Sequence, residues 1–145
     1  MLIYFTFLII LTISLTGLMI DGGRWLLLKT QVTYLALSAA QAGAVLLDGE
    51  PGSVDAARDR ANDMVTANSG LLENQSALAT PVIRVCSNLA VPCATTADPE
   101  AARYIQVSLN ATIAAAFVVQ IDMTSGATAT AAGPPRPPPP AAPPE

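Results

Sequence analysis

The first twenty residues form a run without a charged side chain, MLIYFTFLIILTISLTGLMI. As an α-helix rising 1.5 Å per residue, this run is about 30 Å long, which matches the hydrocarbon core of a bilayer. Asp21, Arg24 and Lys29 end it, and Trp25 lies where an interfacial aromatic residue is expected. A buried core helix would need more surrounding chain than remains, and a secretory signal would have a basic start and a small-x-small cleavage site. The pattern therefore predicts a retained transmembrane helix at residues 1–20.

Helical periodicity continues beyond this run. Apolar residues recur at alternating steps of four and three, which places them on one face of a helix. These positions are Leu28, Val32, Leu35, Ala39, Ala42 and Leu46. Gly22 and Gly23 predict a bend or a local break, and helix breakers at 48–52 predict the end. The sequence predicts one helix of about 45 residues, in which 21–50 form a stalk, with a core helix of a small domain as the alternative for its second half.

A second helix is predicted to open a small domain at residues 51–133. Ser53 is placed to cap this helix and Gly70 to end it. Its apolar stripe consists of Val54, Ala57, Ala61, Met64 and Val65. The charged residues between these positions indicate a solvated outer face.

Beyond Gly70 the apolar period changes from helical to alternating. Strands are predicted at 82–85, at 104–109 and in the Ala-Thr repeat of 127–132, whereas 113–121 fits either helix or strand. The predicted fold class is α+β: a long N-terminal transmembrane and stalk helix, then one helix packed on a short antiparallel sheet.

Cys86 and Cys93 lie between two predicted strands. They fit a disulfide if the domain lies outside the cytoplasm, and free thiols or an incomplete metal site otherwise. Two thiolates without histidine or further cysteine are poor zinc ligands.

The last twelve residues, 134–145, contain eight of the twelve prolines. This composition predicts an extended polyproline II tail, because proline interrupts both helices and sheets. We interpret it as a spacer or as an arm that wraps a neighbouring chain.

Composition narrows the function classes. The net charge of −4 removes the electrostatic basis for nucleic-acid binding, and the absence of histidine excludes histidine-based catalysis and ligation. No nucleophile elbow, P-loop, zinc-protease or dinucleotide motif is present in the sequence. We therefore predict a structural protein, not an enzyme, with no catalytic residues, cofactor or metal site.

The N-terminal segment resembles the signature of TadE/TadG-like proteins, pilin-like components of tight-adherence systems in the type IV pilus superfamily. The shared pattern is an apolar run, an acid, a Gly-Arg pair and an alanine-rich helix. Here it is carried by Asp21, Gly23 and Arg24, then by Ala36, Ala39, Ala40, Ala42 and Ala44. The later order also resembles the TadG-like branch: a helix ending at 68–70, a strand, a cysteine-bearing loop and a strand at 104–109. The resemblance covers about residues 2–132.

This resemblance implies a structural subunit of an extracellular pilus or of its assembly machinery. Its partners would be the membrane and copies of itself or related subunits, in a homo- or hetero-oligomeric assembly. A single-pass accessory subunit of a larger membrane complex is the alternative. The residues expected to pack helices in the assembly are Gly17, Asp21, Gly23, Arg24, Ala36, Ala39, Ala40, Ala42 and Gly43. Asp21 is either a simple interfacial residue or the partner of a neighbouring chain's Arg24 or N-terminal amine.

The sequence departs from the family pattern at position 5, where mature pilins usually have Glu and this chain has Phe5. Either the numbering begins after removal of a basic leader, or the chain is not processed and stays a membrane anchor. Arg24 and Lys29 favour a cytoplasmic C-terminal side, which a removed basic leader would reverse. We expect a single-pass membrane protein with its domain outside the cytoplasm, or an extracellular filament after assembly.

Overall fold

The computed structural model describes residues 2–72, 76–90, 93–117 and 122–135. Two helices, α1 (Leu2–Ala44) and α2 (Ser53–Asn68), are followed by a short 3₁₀ turn at Ser69–Leu71. Four strands complete the described chain: β1 (Ser76–Leu78), β2 (Val82–Cys86), β3 (Tyr104–Ala114) and β4 (Asp122–Ala132). The α+β fold class is confirmed, with one long apolar helix ahead of a small helix-and-sheet domain. From residue 136 onward, the predicted proline-rich tail lies outside the described residues.

Helix α1 runs through Gly22 and Gly23 without a break, so the predicted local break is wrong. The turn that follows places Gly49 and Gly52 at positive φ values of 94° and 89°, a conformation that a Cβ atom disfavours. The helix therefore ends before the breakers predicted at 48–52.

The second half of α1 is a core element of the domain. Its predicted stripe is correct from Leu28 to Ala39, where the apolar positions are buried against α2 and the sheet. At the end of the stripe the structure buries Leu47 in place of the predicted Leu46, which is 37% exposed. The helix has already ended at this point, so the helical period no longer applies. Over this range the alternative interpretation of a core helix describes the structure.

Helix α2 packs its predicted stripe on α1, but Ser53 does not cap it. Gly52 precedes the helix in the left-handed conformation, and the Ser53 hydroxyl is buried without a hydrogen-bond partner among the described residues. Backbone groups hold the entry instead: the Ser53 N–H donates to the Glu50 carbonyl at 3.1 Å, and the Ala56 N–H donates to the Gly52 carbonyl at 3.0 Å. Gly70, predicted as the stop, lies in the 3₁₀ turn just beyond the end of α2.

Strand β3 is the centre of the antiparallel sheet. It pairs with β4 along its whole length, while β1 and β2 follow one another on its opposite edge. Leu78 faces Ala111 and Val82 faces Ser108, so the edge strand has one residue more than β3 between these pairs. This bulge contains Pro81, which has no N–H to donate to a ladder.

One face of the sheet closes the core against both helices. Alternate residues of β3 are buried, as predicted for Ile105, Val107 and Leu109, and the pattern extends to Ile113. Strand β4 presents mostly alanines to this face, so that α1 approaches it closely. Both strands are longer than predicted. Of the ambiguous segment 113–121, the first two residues belong to β3, and 118–121 lie outside the described residues.

The predicted disulfide is confirmed. Cys86, at the end of β2, is bonded to Cys93, and their Cα atoms are 5.8 Å apart. Cys86 also forms an isolated antiparallel bridge with Thr95. The bond therefore closes a short loop at the end of the sheet where β2 leaves it.

Candidate anchoring helix and its junction with the domain

The N-terminal part of α1 stands free of the domain. Every residue from 2 to 16 is exposed, with Leu2 at 82%, Phe7 at 69% and Leu15 at 53%. An 18-residue window of α1 has a mean hydropathy of 2.3, and only 6% of it is buried. By length and composition, α1 is able to cross a membrane.

The serine and threonine hydroxyl groups in this part of the helix donate hydrogen bonds within the helix itself. Thr6, Ser14 and Thr16 each donate to the carbonyl four residues earlier, at 2.8 to 3.0 Å, and Thr12 donates to the Ile9 carbonyl at 2.9 Å. In hydrocarbon a polar group without a partner costs several kcal/mol. These residues are therefore compatible with a lipid environment without water.

Asp21 joins the helix to residues 115–117, which follow β3 and which we call the tip of the β3–β4 hairpin. Its carboxylate is buried, and its two oxygens accept the backbone N–H groups of Ala116 at 2.8 Å and Phe117 at 3.1 Å. Backbone N–H groups in a turn have no neighbouring strand to donate to. Because the Asp21 carboxylate accepts from two such groups, the N–H groups and the carboxylate oxygens all have hydrogen-bond partners. Neither of the two sequence-based interpretations of Asp21 includes this contact. The carboxylate connects two segments of the same chain, and we call this pair of hydrogen bonds the Asp21 clamp.

Gly17 allows the same tip to lie against the helix one turn earlier. A Cβ atom at position 17 would be 3.0 Å from the Cβ of Phe117, closer than such atoms normally approach. Phe117 covers Gly17 but remains 58% exposed on its other side. Farther toward the C-terminus of α1, the Trp25 indole donates to the Thr124 carbonyl at 3.4 Å. The Lys29 ammonium lies 5.4 Å from the centre of the Trp25 ring.

Gly43 allows α1 and α2 to approach closely. A Cβ atom there would lie 2.7 Å from the Ala57 carbonyl oxygen and 2.6 Å from Cδ1 of Ile105. The alanines predicted for helix packing, Ala36, Ala39 and Ala40, are fully buried in the same core.

The structure thus divides the predicted assembly residues into two groups. Six are covered by the chain's own domain: Gly17, Asp21, Ala36, Ala39, Ala40 and Gly43. Ala42 and Arg24 are half-buried. Gly23 is exposed, and a side chain at that position would meet no heavy atom of another element within 4 Å among the described residues. The role of these residues in packing between chains stays a prediction, and this structure gives most of them partners within the chain.

Sequence reasoning missed Ala116 and Phe117 as part of the junction. Their contact with α1 joins positions almost a hundred residues apart, which helical or strand periodicity does not report. One signal was present: no charged residue occurs between Arg103 and Asp122. A strand pair without charge at its connecting turn indicates a turn that is not simply solvated.

The exposed helix and its junction with the domain are the candidate functional region, because the longest run of exposed apolar side chains among the described residues lies there. The chain matches no protein-family model, no curated protein and no solved structure.

Proposed function

We propose that this protein is a membrane-anchored structural subunit of the pilin-like kind, assembled with its copies into an extracellular filament through α1. The observation that carries the proposal is an exposed apolar surface on α1 that is longer than a bilayer covers. The TadE/TadG-like resemblance of the sequence is consistent with it.

Residues 2–16 of α1 support membrane anchoring. Exposed leucine, isoleucine and phenylalanine side chains surround the helix here, and burying each one is worth about 1.5 to 3 kcal/mol. Lipid supplies that burial without a partner, and the internally bonded hydroxyls add no desolvation penalty. The free chain is therefore stable in a bilayer before any assembly.

The assembly half concerns the side of α1 opposite Gly17. At 100° per residue, this side includes Leu8, Leu15, Met19 and Leu26, which are 53 to 70% exposed. Exposed apolar residues continue beyond Asp21 with Leu27, Tyr34 and Leu37. Leu37 lies about 25 Å along the helix from Ile20, outside the reach of lipid if 2–20 spans the bilayer.

A second copy of the chain fits this surface. Leu8, Leu15, Met19 and Leu26 share one face of the helix, and Leu37 lies on the same side farther along it. Parallel α1 helices displaced along a filament axis bury these residues against one another. Because the domain covers only the opposite side of α1, the helices meet without unfolding it. The disulfide supports an oxidising compartment for the domain, outside the cytoplasm.

Shearing of cells that produce the full chain tests this function. We expect the chain in the sheared filament fraction, and we expect Leu26→Gln to remove it from that fraction while leaving its amount in the membrane unchanged. Thr66→Gln, an exposed change on α2, is the matched control and should shear normally. Detergent-stable purification with unrelated multi-pass proteins, and no chain in sheared material, would support the accessory-subunit alternative instead. Protease accessibility of the domain in intact cells tests the topology separately.

A further inference from the structure

The tip of the β3–β4 hairpin overlaps the apolar run of α1. Phe117 lies against Gly17, four residues before Asp21, the first charged residue of the chain. Four residues of helix correspond to about 6 Å. The domain therefore extends alongside the last turn of the uncharged run instead of beginning above it.

The surface at this point is apolar. Phe117 is 58% exposed beside Ile13 and Leu18, which are 64% and 61% exposed, and these side chains line one crevice together with Ser14 and Gly17. Farther from the tip, the outward face of the same hairpin is polar, as with the Ser108 and Thr128 hydroxyls paired at 3.0 Å. Among the described residues of the hairpin, the large apolar side chain that is exposed is Phe117, at the end that overlaps the apolar run.

Two backbone N–H groups of the tip have a hydrogen-bond acceptor within the protein, so they do not depend on water. Asp21 accepts the N–H groups of Ala116 and Phe117, which a solvated turn would leave to water. In a bilayer an unpaired N–H costs several kcal/mol, and an ionised carboxylate without partners costs more. The two hydrogen bonds of Asp21 lower both costs, because each one pairs a backbone N–H group with a carboxylate oxygen.

We propose that Phe117 enters the lipid bilayer beside α1, so that the domain contacts the membrane at two points. The occupant of this surface is lipid, because residues 13–16 and 18 of α1, at the same height, are exposed to the medium that surrounds the helix. The inference rests on the proposed membrane anchoring. Two contacts prevent the domain from tilting on a single helix, and they hold the Leu26 side of α1 in a fixed direction within the membrane plane.

Depth-dependent quenching of tryptophan fluorescence tests this proposal. The full chain, with Trp25→Phe removing the natural tryptophan, is placed at low protein-to-lipid ratio in phosphatidylcholine vesicles with or without brominated acyl chains. Single tryptophans are introduced as Phe117→Trp, as Leu11→Trp in the exposed helix, and as Leu89→Trp in the disulfide loop. Leu89 is the matched control, since it is 61% exposed and lies at the far end of the sheet from the hairpin tip. Ala116→Trp gives a second reporter at the tip if the first variant folds poorly.

We expect bromination to reduce the fluorescence of the Phe117 and Leu11 variants and to leave the Leu89 variant unchanged. Quenching of Leu11→Trp alone, with both tip variants behaving like Leu89→Trp, would overturn the inference and leave membrane anchoring intact. An unquenched Leu11→Trp would overturn both. Shielding of the tip that is insensitive to bromine and grows with protein-to-lipid ratio would assign this surface to a second copy, also against the proposal.

Discussion

Gly43 lies directly against α2, and adding a methyl group there tests how closely the two helices pack. In Gly43→Ala, the added methyl group would lie 2.7 Å from the Ala57 carbonyl oxygen, and the Cδ1 atom of Ile105 and the Cβ atom of Ala61 crowd it further. A rotamer change relieves the contact with Ile105. It does not relieve the contact with Ala57, because a backbone oxygen moves only if α2 moves. The substitution therefore requires the two helices to separate.

The magnitude follows from two opposing terms. Overpacking of a closed core costs about 1 to 3 kcal/mol, while replacing glycine by alanine within a helix contributes about 1 kcal/mol of stability. Gly23→Ala is the matched control, since Gly23 lies in the same helix and the added methyl group meets no other element within 4 Å in the part of the chain that the structure describes. The helix-propensity term is shared by both variants. We expect Gly23→Ala to be more stable than Gly43→Ala by about 1 to 3 kcal/mol, the overpacking term alone.

Denaturant unfolding of the full chain in detergent micelles measures this difference. Trp25 is a natural reporter, because it is half-buried and its indole contacts β4. Midpoints and slopes are compared for wild type, Gly43→Ala and Gly23→Ala at one detergent concentration. Equal midpoints for the two variants, or a more stable Gly43→Ala, would refute the close packing of α1 on α2 at this point.

Three further predictions concern the junction, the disulfide and the core. Asp21→Ala leaves the backbone N–H groups of Ala116 and Phe117 without their acceptor. Hydrogen exchange of these two amides should therefore become faster, by an amount equivalent to about 2 kcal/mol or more. Asp63→Ala, at an exposed position, is the control and should leave both exchange rates unchanged. Reduction of Cys86–Cys93 should lower the free energy of unfolding by about 2 to 3 kcal/mol, because the bond restricts the conformational freedom of the unfolded chain around a short loop. The measurement is the shift of the denaturation midpoint with dithiothreitol, and an unchanged midpoint would contradict this prediction. Ile105→Ala, at a fully buried position, should destabilise the domain by about 2 to 5 kcal/mol in the same assay, whereas a loss below about 1 kcal/mol would contradict its place in the core.

The sequence pattern was sufficient to predict those helices and strands whose buried face follows from their own hydrophobic period. The uncharged run and the stripe from Leu28 to Ala39 predicted α1, because a helical face repeats within a few residues. Alternation predicted the buried face of β3 in the same way. The disulfide was one of several alternatives until the fold brought Cys86 and Cys93 to bonding distance.

Local pattern failed where distant segments meet. Ser53 has the residue type of a helix cap, yet packing turned its hydroxyl inward and left the entry of α2 to Gly52. The small residues of α1 were expected to face other chains, since a stripe of small residues shows that something packs closely without showing what does. The fold assigns that close approach to α2 and β4 of the same chain.

The residue pattern alone predicts an uncharged helix long enough for a bilayer, followed by a small α+β domain. Which parts of that helix stay exposed depends on contacts between segments that are far apart in the chain. Folding the β3–β4 hairpin back along α1 buries Asp21 and Gly17 and leaves Leu8, Leu15 and Leu26 exposed on the opposite side. The physical reason is that periodicity defines which residues share a face, whereas long-range packing determines which face the chain itself covers.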